Sequence, residues 1–272
     1  MLTLVPTPIG NLGDISKRSF QALLEADTIL CEDSRVTNKL LTLLCEKAEI
    51  EKPHKKYIPI HSHNEKSFLE TLDKQFFDDA IVYVSDAGMP GISDPGQLLV
   101  NFCLDHNIEY EVLPGASASL LAFVASGFVN TEFLFGAFLD HKGKSRTDKL
   151  QRLIFSGYTT IIYEAPTRLL KLLEELNHLV PHRRIFLSKE LTKKFETKMR
   201  MSASEAFKEL QETTIKGEWI VVVEAGETIN QVTLNEDEIM KLKLQTKDKA
   251  KLLAQLSTKS TKEWYKILED EK

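Results

Sequence analysis

Short apolar runs rich in β-branched residues recur through the first half of the chain, at residues 2–5, 28–31, 57–60, 80–84 and 110–113. Each is closed by a glycine, a proline or a polar turn, as expected of strands. Between them, residues 16–25, 66–77, 97–106 and 116–125 repeat their apolar positions with the period of a helix. Strands alternating with helices predict a largely parallel α/β layer structure. A second series starts near Asn130, with strands expected at 133–138, 159–163, 184–188 and 219–224 and helices at 149–155, 167–176 and 203–211. The polar, glycine-containing segment 127–131 marks the expected boundary. The chain thus divides into an α/β domain over 1–128, a second over 129–228, and a helical tail over 229–272. The tail carries many lysines and, from residue 233 on, no glycine or proline. Residues 234–240, 247–256 and 261–268 pattern as three short amphipathic helices. They read either as a solvated tail or as a small RNA-contacting appendage.

Composition narrows the class without choosing the activity. Hydrophobic residues make up 42% of the 272 and charged residues 28%, ordinary for a globular chain. The formal net charge of -5 weighs against a nucleic-acid partner, although local patches rather than net charge do such binding. Cys31, Cys45 and Cys103 form no CxxC pair and their number is odd, so neither a zinc site nor a full disulfide framework is expected. His61 and His63 lack nearby carboxylate or thiol partners, so no metal is expected there. The N-terminus has no basic segment followed by a long apolar run, and no apolar stretch approaches the length of a membrane span. A cytoplasmic protein with reduced thiols is the expectation.

Five segments carry the candidate chemistry, four of them opening where a predicted strand ends, the side on which α/β sheets bind ligands. The first, Val5 to Asp14, contains Gly10 and Gly13 but also Pro6 and Pro8, which remove backbone donors. It is therefore no dinucleotide fingerprint, and reads equally as a ligand loop or as a rigid turn. The second, Ser85 to Gly96, is the most informative: three glycines and two prolines in twelve residues fix an unusual path on which main chain can touch a ligand. Asp86 and Asp94 could orient a hydroxyl or amine, or favour a cationic sulfonium. Ser93 or Asp94 is also placed to cap a helix starting near Pro95. The third, Leu113 to Ser119, offers small residues and Ser117 at a helix start. The fourth, Ile162 to Arg168, reads as one wall of a cleft or as a surface ion pair of Glu164 with Arg168. The fifth, Ser188 to Glu196 with Lys198 and Arg200, sets basic residues beside an aromatic, as phosphate and base contacts require. Glu32, Asp33 and Arg35 follow the second strand on the same presumed crevice side.

Taken in order, these segments resemble the tetrapyrrole-methylase superfamily, and within it the ribosomal RNA small subunit methyltransferase I family. The resemblance runs from Leu2 to about Gly226, is strongest at Ser85–Gly96, and continues weakly into the tail. It implies a homodimer of two-domain α/β chains that binds S-adenosylmethionine between the domains. It also implies 2′-O-methylation of a cytidine in the decoding region of 16S ribosomal RNA, within the small ribosomal subunit. By motif position, Pro8, Ala87, Gly88, Met89, Ile92, Ser117, Ala118, Tyr163 and Glu164 would bind the cofactor. The chain departs from the family pattern at Met89, usually threonine, and at Ala165 and Thr167, usually serine and histidine. The first change leaves main-chain contacts intact; because of the second, no catalytic role is assigned to the side chains around Pro166.

A ribose hydroxyl is a weak nucleophile at neutral pH, and a positioned base contributes roughly 10²–10⁴-fold. Asp33, Glu32 and Glu190 are the candidate catalytic carboxylates, and Arg35, Lys189, Lys193 and Lys194 the candidate substrate-binding cations, because all lie at or just beyond presumed strand ends. Two other functions fit part of the pattern: C-methylation of a corrin or siroheme precursor, and a non-catalytic RNA-binding module on ribosomes. The basic fifth segment and tail argue against the first, and the glycine–proline loop against the second.

Overall fold

The computed structural model describes residues 1–227 and 236–270. Residues Met1–Glu227 form one compact unit and the tail another. The first unit opens with β1 (Leu2–Leu4), α1 (Lys17–Glu25), β2 (Thr28–Cys31), α2 (Ser34–Lys47), β3 (Lys56–Pro59), α3 (Glu65–Glu70), β4 (Ile81–Val84), α4 (Gln97–His106), β5 (Tyr110–Val112) and α5 (Ala118–Ser126). The five strands make an all-parallel sheet in the order β3-β2-β4-β1-β5. β1, β2 and β4 are buried along their whole length, which explains why they read as unbroken apolar runs. One face packs Ile29, Cys31, Val82 and Val84 against Leu23 of α1 and Leu41 and Leu44 of α2. The other packs Leu30, Ile81 and Tyr83 against Phe77 and against Leu99 and Cys103 of α4.

The chain continues through β6 (Phe133–Phe138), α6 (Lys144–Ile154), β7 (Thr159–Glu164), α7 (Pro166–Leu179), β8 (Arg184–Lys189), β9 (Thr197–Ser202), α8 (Ala203–Leu210) and β10 (Trp219–Val223). Here the sheet order is β6-β7-β10-β8-β9. Only β6 and β7 run parallel; β7–β10, β10–β8 and β8–β9 are antiparallel. The expected largely parallel arrangement therefore holds for the first sheet alone. One face of the second sheet packs on α6, α7 and α8 through Ile162, Ile185, Leu187 and Val221. The other packs Ile161, Phe186, Ile220 and Val222 against Ala122 of α5 and Ile9 of the first sheet's loop. Strand alternation thus turns one side chain set outward to three helices and the other toward the first sheet.

Two expectations need correction, and two elements were not anticipated. The helix expected over 66–77 is broken into six-residue α3 and a separate 3-10 turn at Lys74–Phe77, whose start is capped by Asp73. α2 was not anticipated; its N-cap is Asp33, which accepts from the Arg35 amide. β9 was not anticipated either, because its alternation of exposed cations with Met199 and Met201 reads as a basic segment. Finally, neither Ser93 nor Asp94 caps α4: its N-cap is Gly96, at φ +130° and without a side-chain cap.

The tail folds into α9 (Glu236–Lys241), α10 (Thr246–Leu256) and α11 (Thr261–Asp270) around Ile239, Ala250, Leu253, Trp264 and Leu268. Residues 234–235 of the first expected tail helix, and the expected 228/229 boundary, lie outside the described residues. Among the described residues no helix is long and apolar enough to cross a membrane.

Candidate active site

Three loops at the C-terminal ends of β1, β4 and β5 are locked together. Thr7 and Gly88 exchange backbone hydrogen bonds, the Thr7 amide to the Gly88 carbonyl at 3.0 Å and the reverse at 3.1 Å. The Thr7 hydroxyl donates to the Ser85 carbonyl. Gly88 adopts φ +84°, and a Cβ there would stand 3.1 Å from Ile9 Cγ2 and 3.4 Å from the Ala116 carbonyl oxygen. A Cβ on Gly115 would collide with the Pro6 ring at 2.2 Å. These glycines admit neighbouring protein loops: Ile9 and the Ala116 main chain close on Gly88, and the Pro6 ring on Gly115. The far end of the second loop is pinned separately. The Gly96 amide donates to the buried carboxylate of Glu65 at 2.9 Å, and the Tyr83 hydroxyl donates to the Pro95 carbonyl at 2.7 Å.

Glu32, Asp86 and Asp94 gather at this end of the sheet. Burial pushes the Glu32 carboxyl above its ordinary range, helped by the charges of Asp94 and Asp86. Asp94 is raised by burial and by Asp86, and Asp86 by burial, against a lowering hydrogen bond from the Asp33 amide at 3.1 Å. Asp33 behaves oppositely. Arg35 donates to it from its backbone amide (2.8 Å), Nε (3.0 Å) and Nη2 (2.6 Å), and holds it down to about 2. The Arg35 side chain is otherwise exposed.

A pocket of about 300 Å³ opens between the two sheets, lined by Ile9 and Ala118 from the first side and by Phe138, Tyr163, Leu191 and Ile220 among others from the second. Glu164, Ser188, Glu218 and Trp219 complete its wall. Tyr163 bridges the two sides by hydrogen bonding to Ser119, and burial raises its phenol above the ordinary range. The charge of Asp94 acts in the same direction on Tyr163, which ties the carboxylate cluster to the pocket. Ser188 is wholly buried, and its hydroxyl has no partner among the described residues. A buried unmade hydrogen bond costs roughly 1–3 kcal/mol, so this hydroxyl is an open polar position in a predominantly apolar wall.

Behind the pocket lies an ionic network. Arg146, 1% exposed, donates to Glu164 Oε2 at 3.2 Å, to both Glu175 oxygens at 2.8–3.0 Å, and to the Asp140 carbonyl. Arg168 reaches Glu164 Oε1 at 2.8 Å, and the Ala165 amide donates to the same oxygen. The Glu164–Arg168 pair is therefore a buried one, not the surface pair that the sequence admitted.

The segment after β8 closes over the first loop. Glu190 and Thr192 both adopt positive φ, +54° and +65°. The Thr192 amide donates to Glu196 Oε2 at 2.8 Å, and its hydroxyl accepts the Asn11 amide at 3.2 Å. A Cβ on Gly10 would sit 2.5 Å from Lys193 Cγ, so this glycine is what lets the segment dock. The Glu190 carboxylate accepts the Glu218 amide at 2.8 Å and Lys193 Nζ at 3.3 Å; the Glu218 amide, chiefly, lowers its pKa. Lys193 is further held by Glu218 at 3.0 Å. Lys189 stands over the Trp219 ring and Lys194 over Phe195.

Of the residues expected around a cofactor, Ala118, Tyr163 and Glu164 line the pocket, and Pro8 and Gly88 adjoin its Ile9 wall. Ala87, Met89 and Ile92 lie in the second loop but not in the pocket wall, and Ser117 bonds with Ser119 at the start of α5. Sequence reasoning missed Arg146, Ser188 and Glu65. Arg146 carried a signal: with Leu150 and Leu153 it occupies the apolar stripe of α6, where an arginine implies a buried partner. Ser188 carried none, since a serine ending an apolar strand is ordinary.

Comparison with known proteins agrees with this architecture. The family described as Tetrapyrrole (Corrin/Porphyrin) Methylases matches residues 1–206. The ribosomal RNA small subunit methyltransferase I of Campylobacter fetus is 44% identical over 271 residues, covering 98% of this chain and 99% of the relative. The protein of the same name from Helicobacter pylori is 39% identical over 285 residues, covering 99% of each. Among solved structures, a Thermus thermophilus uroporphyrin-III C-methyltransferase complexed with S-adenyl homocysteine superposes with a TM-score of 0.54 at 17% identity, over 81% of this chain and 96% of that one.

Proposed function

Since the chain belongs to the ribosomal RNA small subunit methyltransferase I family, of the tetrapyrrole methylases, we propose that it transfers a methyl group from S-adenosylmethionine to a cytidine 2′-hydroxyl in the decoding region of 16S ribosomal RNA. The observation that carries the reading is the juxtaposition of a largely apolar slot holding one unpartnered buried hydroxyl with the carboxylates of Glu32, Asp86 and Asp94, each raised by burial and by acidic neighbours. A flat heterocycle suits the slot between Ile9, Ala118, Leu191 and Ile220, with Ser188 available to its polar edge. A cationic donor suits the carboxylates, because a positive charge there relieves their mutual repulsion. Pro8, Gly88, Ala118 and Tyr163 would hold it, and when bound it supplies a methyl group already activated on sulfur.

The protein's own contribution is positioning and proton handling, of which positioning alone can be worth roughly 7–11 kcal/mol. Glu32 is the base in this reading: its raised pKa brings it nearer to neutrality, so a carboxylate oxygen can take the proton of the ribose hydroxyl. Asp33 and Glu190 serve as anchors, since both spend their oxygens on neighbouring donors. Glu164 acts as the hub of the Arg146 network that holds the pocket wall. Arg35, Lys189 and Lys194 supply cations along the cleft rim, and the ribosomal substrate puts the enzyme in the cytoplasm. The homodimer belongs to the same proposal. α5 carries no charged residue, and Val124 (77% exposed), Leu120 and Leu121 present an apolar surface for a second copy.

The test uses purified protein, labelled donor and small subunits from a strain lacking the gene, with ribose methylation mapped along the RNA. Methylation of one cytidine in the decoding region is expected. Uptake of S-adenosylhomocysteine in calorimetry with no transfer to small subunits would refute the substrate; no uptake would refute the whole reading.

A further inference from the structure

We propose that edge strand β9 and the loop leading into it form the seat for a single-stranded segment of the RNA substrate, with Phe195 stacking on a base and Lys198 and Arg200 meeting phosphates. The inference rests on the methyltransferase reading above and assigns its substrate surface.

Phe195 is 71% exposed, the most exposed aromatic side chain among the described residues. Exposure of a large ring at the tip of a mobile loop would mean little. This loop is instead tightly built: two left-handed residues, the Thr192–Glu196 bond, and the Lys193 and Glu196 amides donating to the Glu190 and Lys193 carbonyls at 3.0 and 3.1 Å. Its other end, Leu191, lines the donor pocket. The ring is therefore presented in a fixed place, on the same short segment that walls the reaction site.

The strand register places the cations. Lys198 pairs with Ser188 and Arg200 with Phe186 across the β8–β9 ladder. Residues opposite each other share a face, and Ser188 and Phe186 lie on the face turned to the pocket and first sheet. Lys198 and Arg200 thus extend that face outward from the pocket, along the sheet edge, while Met199 and Met201 turn to the opposite core. Both cations are exposed. Lys198 pairs only with Glu196 among the described ion pairs, and Arg200 lies 4.9 Å over the Phe128 ring, which leaves its donors free for an anion. Lys193, by contrast, is neutralised by Glu190 and Glu218, so phosphate contact passes from it to β9.

Charge selects the partner. Residues 189–200 hold five cations against two carboxylates, within a chain of net charge -5. A positive strip beside an exposed ring fits a polyanion that also carries flat faces, and single-stranded RNA is that chemistry. A charged edge strand also guards against sheet-to-sheet pairing, but that role needs no exposed phenylalanine.

The test compares wild type with Phe195→Ala, Phe195→Trp and Lys198→Gln. Three quantities are read: calorimetric affinity for S-adenosylhomocysteine, equilibrium binding of a fluorescent single-stranded RNA dodecamer across a salt series, and kcat and KM on undermethylated small subunits. Phe195→Ala should weaken dodecamer binding about 10-fold or more and raise KM similarly, with kcat and S-adenosylhomocysteine affinity unchanged. Phe195→Trp should restore both. Lys198→Gln should reduce the slope of log affinity against log salt by about 0.7. Wild-type KM and dodecamer affinity in Phe195→Ala, or no dodecamer binding by wild type, would overturn the assignment. A wild type that binds the dodecamer yet takes up no S-adenosylhomocysteine would sink the methyltransferase reading and leave this surface standing.

Discussion

Removing Arg146 tests how the pocket wall is held. Its guanidinium is the shared partner of Glu164, whose side chain is fully buried, and of Glu175, which is about three-quarters buried. Replacement by methionine keeps most of the volume and deletes the charge. Breaking a buried pair by removing one partner costs roughly 3–5 kcal/mol, because the remaining charge stays out of water. Glu164 keeps Arg168 and the Ala165 amide, and Glu175 can turn to solvent, so the low end applies, about 3 kcal/mol. For a unit of this size each kcal/mol moves Tm by about 2–4 °C, giving a fall of about 10 °C. The assay is urea unfolding followed by Trp219 fluorescence in a Trp264→Phe background, which removes the only other tryptophan. The Arg146→Met, Glu164→Gln double variant should lose less than the sum of the single losses, since the second change removes the charge the first strands. A loss below about 1 kcal/mol for Arg146→Met, or strict additivity in the double variant, would refute the view that Arg146 neutralises Glu164.

Two further outcomes follow from the site. Glu32, Asp86 and Asp94 have pKa values raised by folding, so the folded state binds their protons more tightly than the unfolded chain. Their contribution to stability is full only below the ordinary carboxylate pKa and is lost as pH rises from there through the raised folded values. Asp94→Asn should therefore raise Tm near neutral pH but not at about pH 4, while weakening S-adenosylmethionine binding more than that of the uncharged thioether S-adenosylhomocysteine; an equal Tm change at both pH values would contradict the sign. Gly88→Val should weaken S-adenosylhomocysteine binding about 10-fold, since a left-handed backbone costs an L-residue roughly 1–2 kcal/mol and the side chain would press on Ile9. Calorimetry with an unchanged Kd would remove Gly88 from the pocket's support.

Period and punctuation along the chain determined most of the secondary structure. Strands buried on both faces, such as Ile81–Val84, must be apolar throughout, and the turns after them must carry glycine, proline or polar residues. Those local constraints exposed the loops of the candidate site and, through their order, the family. They did not expose strand direction. The second sheet is mixed because β10 enters between β7 and β8, a pairing between segments far apart that no local pattern encodes. Nor could they assign roles to individual carboxylates. Glu32 and Asp33 are neighbours with the same chemistry, yet Asp33 is taken by the start of α2 and Arg35, while Glu32 turns toward Asp86 and Asp94. Proton affinity depends on what surrounds a group in space, and for these residues the surroundings come from the ends of two strands, β2 and β4, that lie far apart in sequence. Lys193 and Lys198 likewise look alike as sequence; the fold holds the first between Glu190 and Glu218 and leaves the second exposed on the sheet edge, paired with Glu196 alone among the described ion pairs.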